Sequence, residues 1–158
     1  MNATQGRTAG LPWPPVIAVS AIAIAVILNV LYPLPWLSSP LADILFAAGW
    51  VAIFFAATLI GTAVKTLLRS HTTLNPGGTP DHLAVHGPYS FTRNPMYLGL
   101  TLTGIGIGLV TGIAWFLPLA LIAAYAITKV AIEPEEKTLA AKFGKRYRDY
   151  AKKVRRWV

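Results

Sequence analysis

Long apolar runs separated by short polar connectors dominate the chain. The runs 14–32 and 41–64 each match the roughly 20 residues that an α-helix needs to cross the hydrocarbon core of a bilayer. A third run, 95–132, is nearly twice as long, and Thr111-Gly112 offers a turn near its middle. The pattern therefore predicts four membrane-spanning helices, over residues 14–32, 41–64, 96–110 and 113–132.

The tail, residues 133–158, is rich in charge and carries apolar residues at steps of three and four. This spacing places them on one face of an amphipathic helix, which Gly144 would interrupt. The residues of this face are Leu139, Phe143, Tyr147, Tyr150, Val154 and Trp157. The predicted fold is an all-α integral membrane protein, a single membrane domain over residues 1–158. It has four transmembrane helices, a C-terminal helical hairpin and an amphipathic cytoplasmic tail helix.

Basic residues lie at one set of helix ends. Arg7 precedes the first span, Lys65 and Arg69 close the second, and the tail adds many more. The turn between the first two spans and the turn at Thr111-Gly112 contain no Lys or Arg. Because Lys and Arg are retained on the cytoplasmic side, we expect both termini to be cytoplasmic and the protein to lie in the cell (inner) membrane.

The composition supports the membrane class and narrows the partners. Hydrophobic residues make up 54% of the chain and charged residues 13%, against roughly 25% charged in soluble domains. The net charge is +8, but because the charges flank apolar segments we predict membrane lipids, and not nucleic acid, as partners. The absence of cysteine excludes disulfides, thiolate catalysis and cysteine-ligated metals.

Two sequence patterns invite functions that we set aside. His71, His82 and His86 could suggest zinc. Gly-Pro follows His86 and breaks a regular helix there, so His86 would not share a helix face with His82, and we predict no metal site. The glycines of residues 104–108 lack the last glycine of a dinucleotide fingerprint and lie in an apolar run. A stripe of Gly104, Gly108 and Gly112 instead favours close helix packing in the membrane.

A small multidrug-type transporter would also have four spans. Such a transporter needs a charged residue inside the bilayer to couple ions. Asp43 lies at the start of its span, where a carboxylate suits the positive end of the helix dipole, and no span carries a charge at mid-depth. Transport is therefore disfavoured.

The stretch from His86 to Gly99 is the strongest candidate for a functional site. It places His, Arg, Asn and two Tyr at the mouth of a membrane segment, where polar groups need partners or a ligand because lipid supplies none. Glu135 and Glu136 directly follow the last span. They could simply complement a helix dipole, but they lie on the same predicted side as Arg93, which favours a shared site.

The ordered set of residues in the second half of the chain resembles the isoprenylcysteine carboxyl methyltransferase family. Related membrane phospholipid methyltransferases share parts of the pattern. The resemblance extends from about His82 to the end of the sequence, and the first two spans carry no such motif. It rests on Gly87-Pro88-Tyr89, Arg93-Asn94-Pro95-Met96-Tyr97-Leu98-Gly99, Glu135-Glu136, Leu139, Phe143-Gly144, Tyr147, Tyr150 and Val154-Arg155.

The resemblance implies an enzyme that uses S-adenosyl-L-methionine without a Rossmann domain. The cofactor would sit at the cytoplasmic membrane surface between the connector, residues 70–95, and the tail, residues 133–158. Arg93, Glu135 and Glu136 would be catalytic and would also contact the cofactor. Many relatives have His at the position of Asn94, and Asn cannot titrate. The residues implied to bind the cofactor are His82, Gly87, Tyr89, Arg93, Asn94, Pro95, Tyr97, Leu98, Glu135 and Glu136.

The same residue types suit methyl transfer to a lipidic or prenylated acceptor from the bilayer. Arg93 can bind a carboxylate in a fork, the glutamates can pair with a cation, and Tyr89 and Tyr97 offer ring faces to a sulfonium. We expect the acceptor to be a carboxylate of an isoprenylcysteine-like substrate, with N-methylation of a phospholipid head group as the alternative. A nicotinamide-dependent reductase of the sterol reductase type is disfavoured by the short chain. A non-catalytic membrane scaffold would not bind the methyl donor.

Overall fold

The structure, a computed structural model, describes residues 13–69 and 82–158, and within these ranges it contains helices and no strand. The predicted all-α class is confirmed. A 3₁₀ turn, Gly87–Ser90, precedes the third helix, and a π-helical segment, Thr128–Ile132, joins the fourth helix to the fifth. The α-helices are α1, Trp13–Leu31; α2, Leu41–Arg69; α3, Pro95–Thr111; α4, Phe116–Ile127; and α5, Glu133–Lys153.

Three helical stretches are long and apolar enough to cross a membrane, counting the described residues alone. They are α1, α2 and the continuous stretch Phe116–Lys153, whose apolar part ends near Ile132. Helix α3 is apolar but has only 17 residues. The protein is thus an integral membrane protein, and the count of four spans stays a prediction, as does the arrangement of the last two as a transmembrane hairpin.

The outer surfaces of the first two helices are apolar. Val19 and Val30 of α1 are 65% and 75% exposed, and Val51 and Phe54 of α2 are 69% and 67% exposed. The buried positions on these helices are held mainly by small residues such as Ala25. This inverted arrangement, with bulky apolar groups outside and small ones inside, is expected when lipid is the solvent and helices associate by close packing.

Glycines bring α2 and α3 into close antiparallel contact. A Cβ atom added to Gly106 would lie 2.9 Å from the carbonyl oxygen of Gly49 and 2.7 Å from Cγ1 of Ile53. A Cβ added to Gly99 would lie 2.5 Å from Cγ1 of Ile60, further along α2. The two backbones can therefore approach this closely only where a side chain is missing.

The α1–α2 connector and the α3–α4 turn lie together at one end of the helices. Helix α3 ends where the sequence predicts a turn, with Gly112 in the left-handed conformation (φ 70°). A Cβ added to Gly112 would lie 3.2 Å from the ring of Trp36, in the α1–α2 connector. From the next turn, Trp115 Nε1 donates a hydrogen bond of 2.8 Å to the carbonyl of Tyr32. The polar stretch that precedes α3 therefore lies at the opposite end.

Three predicted boundaries differ from the structure. Helix α2 continues to Arg69, five residues beyond the predicted end of its span at residue 64, because residues 65–69 contain no Pro or Gly that would end the helix. Helix α4 begins at Phe116 and not at residue 113, because residues 113–115 form a turn in which Phe116 N–H donates to the carbonyl of Ile113. Helix α5 ends at Lys153, so the prediction that Val154 and Trp157 continue its amphipathic face is wrong. The backbone carbonyls of Arg155 and Arg156 instead accept hydrogen bonds from residues 92–94, which directly precede α3, and this tertiary contact overrides the helical period.

The interruption predicted at Gly144 is confirmed. Gly144 has φ 51° and ψ −119° inside α5, a conformation that glycine adopts at little cost. The chain changes direction there. As a result Tyr147 and Tyr150, which follow the break, reach residues before α3.

Candidate functional site

Three segments meet at the start of α3. They are the stretch from the 3₁₀ turn to Asn94, the first turn of α5, and the residues that follow α5. Pro95 occupies the first turn of α3, where its missing N–H costs no hydrogen bond. Since α5 follows α4 through the π-helical segment, its acidic first turn lies at this same end of the helices.

Arg93 lies at the centre of this meeting point. Its Nη1 is 3.1 Å from Glu136 Oε1 and donates a hydrogen bond of 3.1 Å to the Tyr147 hydroxyl. The side chains of Arg93 and Glu136 are 15% and 16% exposed. Arg93 Nε is buried and has no hydrogen-bond partner among the described residues. A buried donor of a charged group without a partner is costly, so this N–H could donate to an oxygen atom of a ligand.

Glu136 also binds a second arginine. Arg156 Nε and Nη2 donate to its two carboxylate oxygens at 3.1 and 2.7 Å, a bidentate pair. The hydrogen bond to Glu136 raises the pKa of the Arg156 guanidinium. Arg156 Nη1 lies 3.8 Å from Glu133, which also pairs with Lys129 at 2.7 Å on the outside of the helix. Glu136 is therefore a shared acceptor that ties two arginines to α5.

Glu135 has a different environment from its neighbour. It accepts a hydrogen bond of 2.7 Å from the hydroxyl of Tyr97, a neutral phenol. Burial raises the pKa of the Glu135 carboxyl, the hydrogen bond from Tyr97 opposes this rise, and the charge of Glu136 adds to it. Within residues 13–69 and 82–158 no cation pairs with Glu135, and a buried carboxylate in this situation is suited to pair with a cation of a ligand.

Tyr89 lies close to the same carboxylate. Burial raises the pKa of the Tyr89 hydroxyl, and the nearby Tyr150 and Glu135 raise it further. The backbone carbonyl of Tyr89 accepts a hydrogen bond of 2.6 Å from Tyr150 of α5. Tyr89 thus stays a neutral phenol near Glu135, whose carboxylate also accepts the hydrogen bond from Tyr97.

Other residues implied by the resemblance have structural partners. Asn94 Nδ2 donates to the carbonyl oxygen of Arg156 at 3.0 Å. Gly87 has φ 61°, and a Cβ there would lie 2.9 Å from Oγ1 of Thr66, so it serves close contact with α2. Pro95 is fully buried at the start of α3. Asn94, Gly87 and Pro95 therefore help to shape the site, and their contact with a cofactor stays a prediction.

The remaining positions are less defined. Leu98 is half-buried, and its N–H donates to the carbonyl of Asn94 within the first turn of α3. His82 is exposed, at the start of the described part of the connector. His71 and the first part of the predicted cofactor-binding connector, residues 70–81, lie outside the described residues. Within residues 13–69 and 82–158 no group of three or more His, Asp or Glu side chains could hold a metal ion.

An apolar groove runs between α1, α3 and α4. Its walls are mainly apolar, with small residues such as Gly104 and Ala120 near its middle. At one end it includes Leu100 and Ile127. Ile127 forms a buried cluster with Ala131 and Ile132, and Tyr97 packs against this cluster. The groove therefore ends next to the Tyr97–Glu135 pair.

Sequence reasoning missed Arg156 and Thr92. In the sequence Arg156 is one of many cations in the tail. Thr92 is fully buried, and its Oγ1 donates a hydrogen bond of 3.2 Å to the carbonyl of Arg156. The only signal in the sequence is position: Thr92 adjoins Arg93, and Arg156 follows the residues of the family pattern. Neither residue belongs to a periodic apolar pattern that would mark it as buried.

The comparisons with known proteins identify the family of the chain. The family model described as phospholipid methyltransferase matches residues 44–146, about two thirds of the chain. No curated protein matches the chain. Among solved structures, it is similar to the eukaryotic intramembrane Ras methyltransferase ICMT (isoprenylcysteine carboxyl methyltransferase), with a TM-score of 0.65 and 24% identity.

That structural match covers 94% of this chain but 52% of the other. The chain thus spans about half the length of the solved structure that it resembles, and at this identity the likeness concerns the fold. The family model, in contrast, covers most of α2, all of α3 and α4, and the glutamate pair of α5. The sequence resemblance is confirmed at the level of the family, and the chain belongs to the phospholipid methyltransferase family of integral membrane proteins.

Proposed function

We propose that the protein is an S-adenosyl-L-methionine-dependent methyltransferase whose acceptor is embedded in the membrane. The observation that carries this proposal is the position of the Tyr97–Glu135 pair and of Arg93 at the end of an apolar groove. Membership of a methyltransferase family supports the reaction type. Polar groups for a charged donor and apolar walls for a lipid chain thus lie next to each other.

The residues present fit the methyl donor. When bound, S-adenosyl-L-methionine supplies a methyl group on a sulfonium, and it also carries a carboxylate and an ammonium. Arg93 Nε is a buried donor without a partner, which a carboxylate oxygen would satisfy. Glu135 is a buried carboxylate held by a neutral phenol, which can pair with an ammonium or accept from ribose hydroxyls. The carboxylate of the donor would thus bind Arg93, and its ammonium or ribose hydroxyls would bind Glu135.

Within such a site the chain's own residues would orient and shield the reactants. Tyr97 fixes the Glu135 carboxylate through its hydroxyl, and the ring faces of Tyr89 and Tyr97 favour a nearby cation. Glu136 holds Arg93 in place and is itself fixed by Arg156. In-line displacement depends on alignment, and well-oriented reactants can gain about 7 kcal/mol or more from it. We assign Arg93 and Glu135 to ligand contact and Glu136 to positioning Arg93.

Our preferred acceptor is the carboxylate of an isoprenylcysteine-like lipid. A carboxylate is already ionised at neutral pH, so the enzyme needs no base for it. The alternative is the amine of a phospholipid head group, which must first lose a proton. Burial raises the pKa of Glu135, which makes its carboxylate a better proton acceptor, and the description of the matching family model favours this second candidate.

The first experiment measures donor binding and methyl transfer. Protein in lipid nanodiscs is titrated with S-adenosyl-L-methionine by calorimetry, and isotope from its labelled methyl group is followed into the lipid extract with either acceptor present. Alkali releases the label from a methyl ester and leaves it on an N-methyl group, so the two candidates give different products. A non-catalytic scaffold would neither bind the donor nor label the lipid.

The variant Glu135→Gln tests the assignment of the site. It removes a charge next to Tyr97 without changing shape, and we expect weaker donor binding and turnover lower by about tenfold or more. Asp149→Asn is the matched control, since it removes the same charge from an exposed position of the same helix. Full activity in Glu135→Gln would contradict the assignment.

We further propose that the polar end of the helices faces the cytoplasm, in the cell (inner) membrane. Lys and Arg gather at this end, in α5 and beside the last turn of α2, and are absent from both turns at the opposite end. Because the chain has no cysteine, single-cysteine variants test this directly. Ser38→Cys should react with an impermeant thiol reagent added outside cells, and Lys153→Cys should not. The reverse labelling would invert the orientation.

A further inference from the structure

The last residues of the chain cross the candidate site. We name Val154–Val158 the strap. After α5 the backbone becomes extended at Val154 (φ −118°, ψ 128°), and the strap runs beside the residues that precede α3. Arg93 N–H donates to the carbonyl of Arg155 at 3.0 Å. Thr92 Oγ1 and Asn94 Nδ2 donate to the carbonyl of Arg156 at 3.2 and 3.0 Å. The course of the strap is thus fixed by the stretch that also carries Arg93.

The side chain of Arg156 anchors the strap from the other side. Its two hydrogen bonds to Glu136 connect the strap to the first turn of α5. The backbone and the side chain of Arg156 therefore link the strap to the residues before α3 and to α5, respectively. Such attachment holds the next residue, Trp157, at a defined place.

Trp157 lies at the junction between the groove and the polar site. It packs against the buried cluster of Ile127, Ala131 and Ile132. Tyr97, whose hydroxyl holds Glu135, packs against this same cluster. Ile127 also lines the apolar groove. The side chain of Trp157 thus borders the apolar cluster that connects the groove to the Tyr97–Glu135 pair.

We propose that Trp157 is a specificity-determining residue that limits the bulk of the acceptor next to its reactive group. This inference rests on the proposed function, since it requires an acceptor whose chain occupies the groove. A chain bound there brings its head group past the Ile127 cluster to reach Glu135, and the indole borders that passage. The family model matches residues 44–146, so the match assigns no role to the strap.

The test compares acceptors that share a head group and differ in the bulk beside it. One pair is S-farnesylcysteine, with a branched chain, and S-dodecylcysteine, with an unbranched chain. The other is two-chain phosphatidylethanolamine and its one-chain lyso form. For each pair that the wild-type protein methylates in nanodiscs, kcat/KM is measured for both members. We expect Trp157→Ala to shift the ratio towards the bulkier member by about tenfold or more, because small differences in an apolar pocket have effects of this size.

Two further variants separate specificity from folding. Trp157→Phe keeps a ring and should stay within about twofold of the wild-type ratio, and Trp157→Leu should give an intermediate shift. Val158→Ala, at an exposed position of the same strap, should leave the ratio unchanged. If Trp157→Ala does not fold, as judged by donor binding, the Leu variant decides.

The outcomes are distinct. A ratio that is unchanged in Trp157→Leu and Trp157→Ala, or an equal loss for both acceptors of a pair, would show a merely structural role and overturn the proposal. Failure of the wild-type protein to methylate either pair would instead refute the proposed function on which the inference depends.

Discussion

The two faces of α3 have opposite characters. The face towards α2 is closed: Gly99 and Gly106 lie so near the α2 backbone and side chains that an added Cβ would overlap with them. The face towards α1 and α4 is open along part of its length and forms the groove. There an added Cβ on Gly104 would lie 3.4 Å from Cβ of Ala120, an ordinary contact distance.

This difference shows how one short helix can serve both stability and ligand access. Without a hydrophobic driving force between helices in lipid, affinity must come from close packing. The α2 side of α3 supplies it. The other side can then leave space, and Tyr97 at its polar end directs a hydroxyl towards Glu135. The same substitution should therefore have different effects on the two faces.

Replacing Gly106 by Ala should have the largest effect on stability. The new Cβ would lie 2.9 Å from the carbonyl oxygen of Gly49, and because this is backbone, relief requires the helices to separate. We expect a loss of about 3 kcal/mol, the upper end of the usual range for overpacking. Thermal unfolding in detergent, followed by circular dichroism, measures it.

Gly61→Ala is the matched control for this substitution. Gly61 also lies in a helix, α2, and in the part of the chain that the structure describes no atom lies within 4 Å of a Cβ added to it. There alanine should be neutral or should stabilise by up to about 1 kcal/mol, the difference in helix propensity. Equal melting temperatures for Gly106→Ala and Gly61→Ala would remove the distinction between a closed interface and a free surface.

The closed face also shows what the sequence could and could not predict. The apolar helices were predicted to within a few residues because bilayer thickness fixes their length. The predicted glycine stripe comprises Gly104, Gly108 and Gly112. The first two face α4 and the third faces Trp36, whereas the tightest contacts to another backbone involve Gly106 and Gly49. Which glycine contacts which helix depends on non-local packing, and a single helix period does not contain that information.

For the site, too, some features could be predicted from the sequence and others could not. The polar stretch before α3 and the glutamate pair were predicted to meet, and the structure places Arg93 beside Glu136 and Tyr97 beside Glu135. The different environments of the two glutamates were not predicted. They depend on Arg156, which reaches Glu136 only because α5 ends at Lys153 and the chain turns back.

Filling the groove should affect the reaction more than the fold. Gly104→Leu places a larger side chain at the wall of the groove that Gly104 and Ala120 line. We expect methyl transfer to lipidic acceptors to fall by about tenfold or more, the size of effect expected when apolar pocket space is lost. Binding of S-adenosyl-L-methionine should stay within about twofold, since the residues proposed to hold it lie beyond the end of the groove. Calorimetry and lipid labelling on one preparation measure both quantities.

The substitution Gly104→Ala serves as a control because its Cβ fits at 3.4 Å, and it should methylate lipid almost as well as the wild-type protein. If Gly104→Leu lost donor binding and methyl transfer together, the open face would be part of the donor site. If it lost neither, the groove would not hold the acceptor.

The smallest effect is expected at the polar end of the open face, where Tyr97→Phe removes one hydroxyl. Burial raises the pKa of Glu135 and the hydrogen bond from Tyr97 opposes that rise, so its loss should raise the pKa further. Activity that requires the Glu135 carboxylate would then disappear at a higher pH as the solution is acidified. The acidic limb of the kcat/KM profile should move up, while the rate at its plateau changes only modestly. Tyr125→Phe is the control, since Tyr125 is 68% exposed on α4. An acidic limb that stayed in place in Tyr97→Phe would mean that Glu135 does not titrate in the reaction, and the carboxylate acceptor, which needs no base, would gain over the amine.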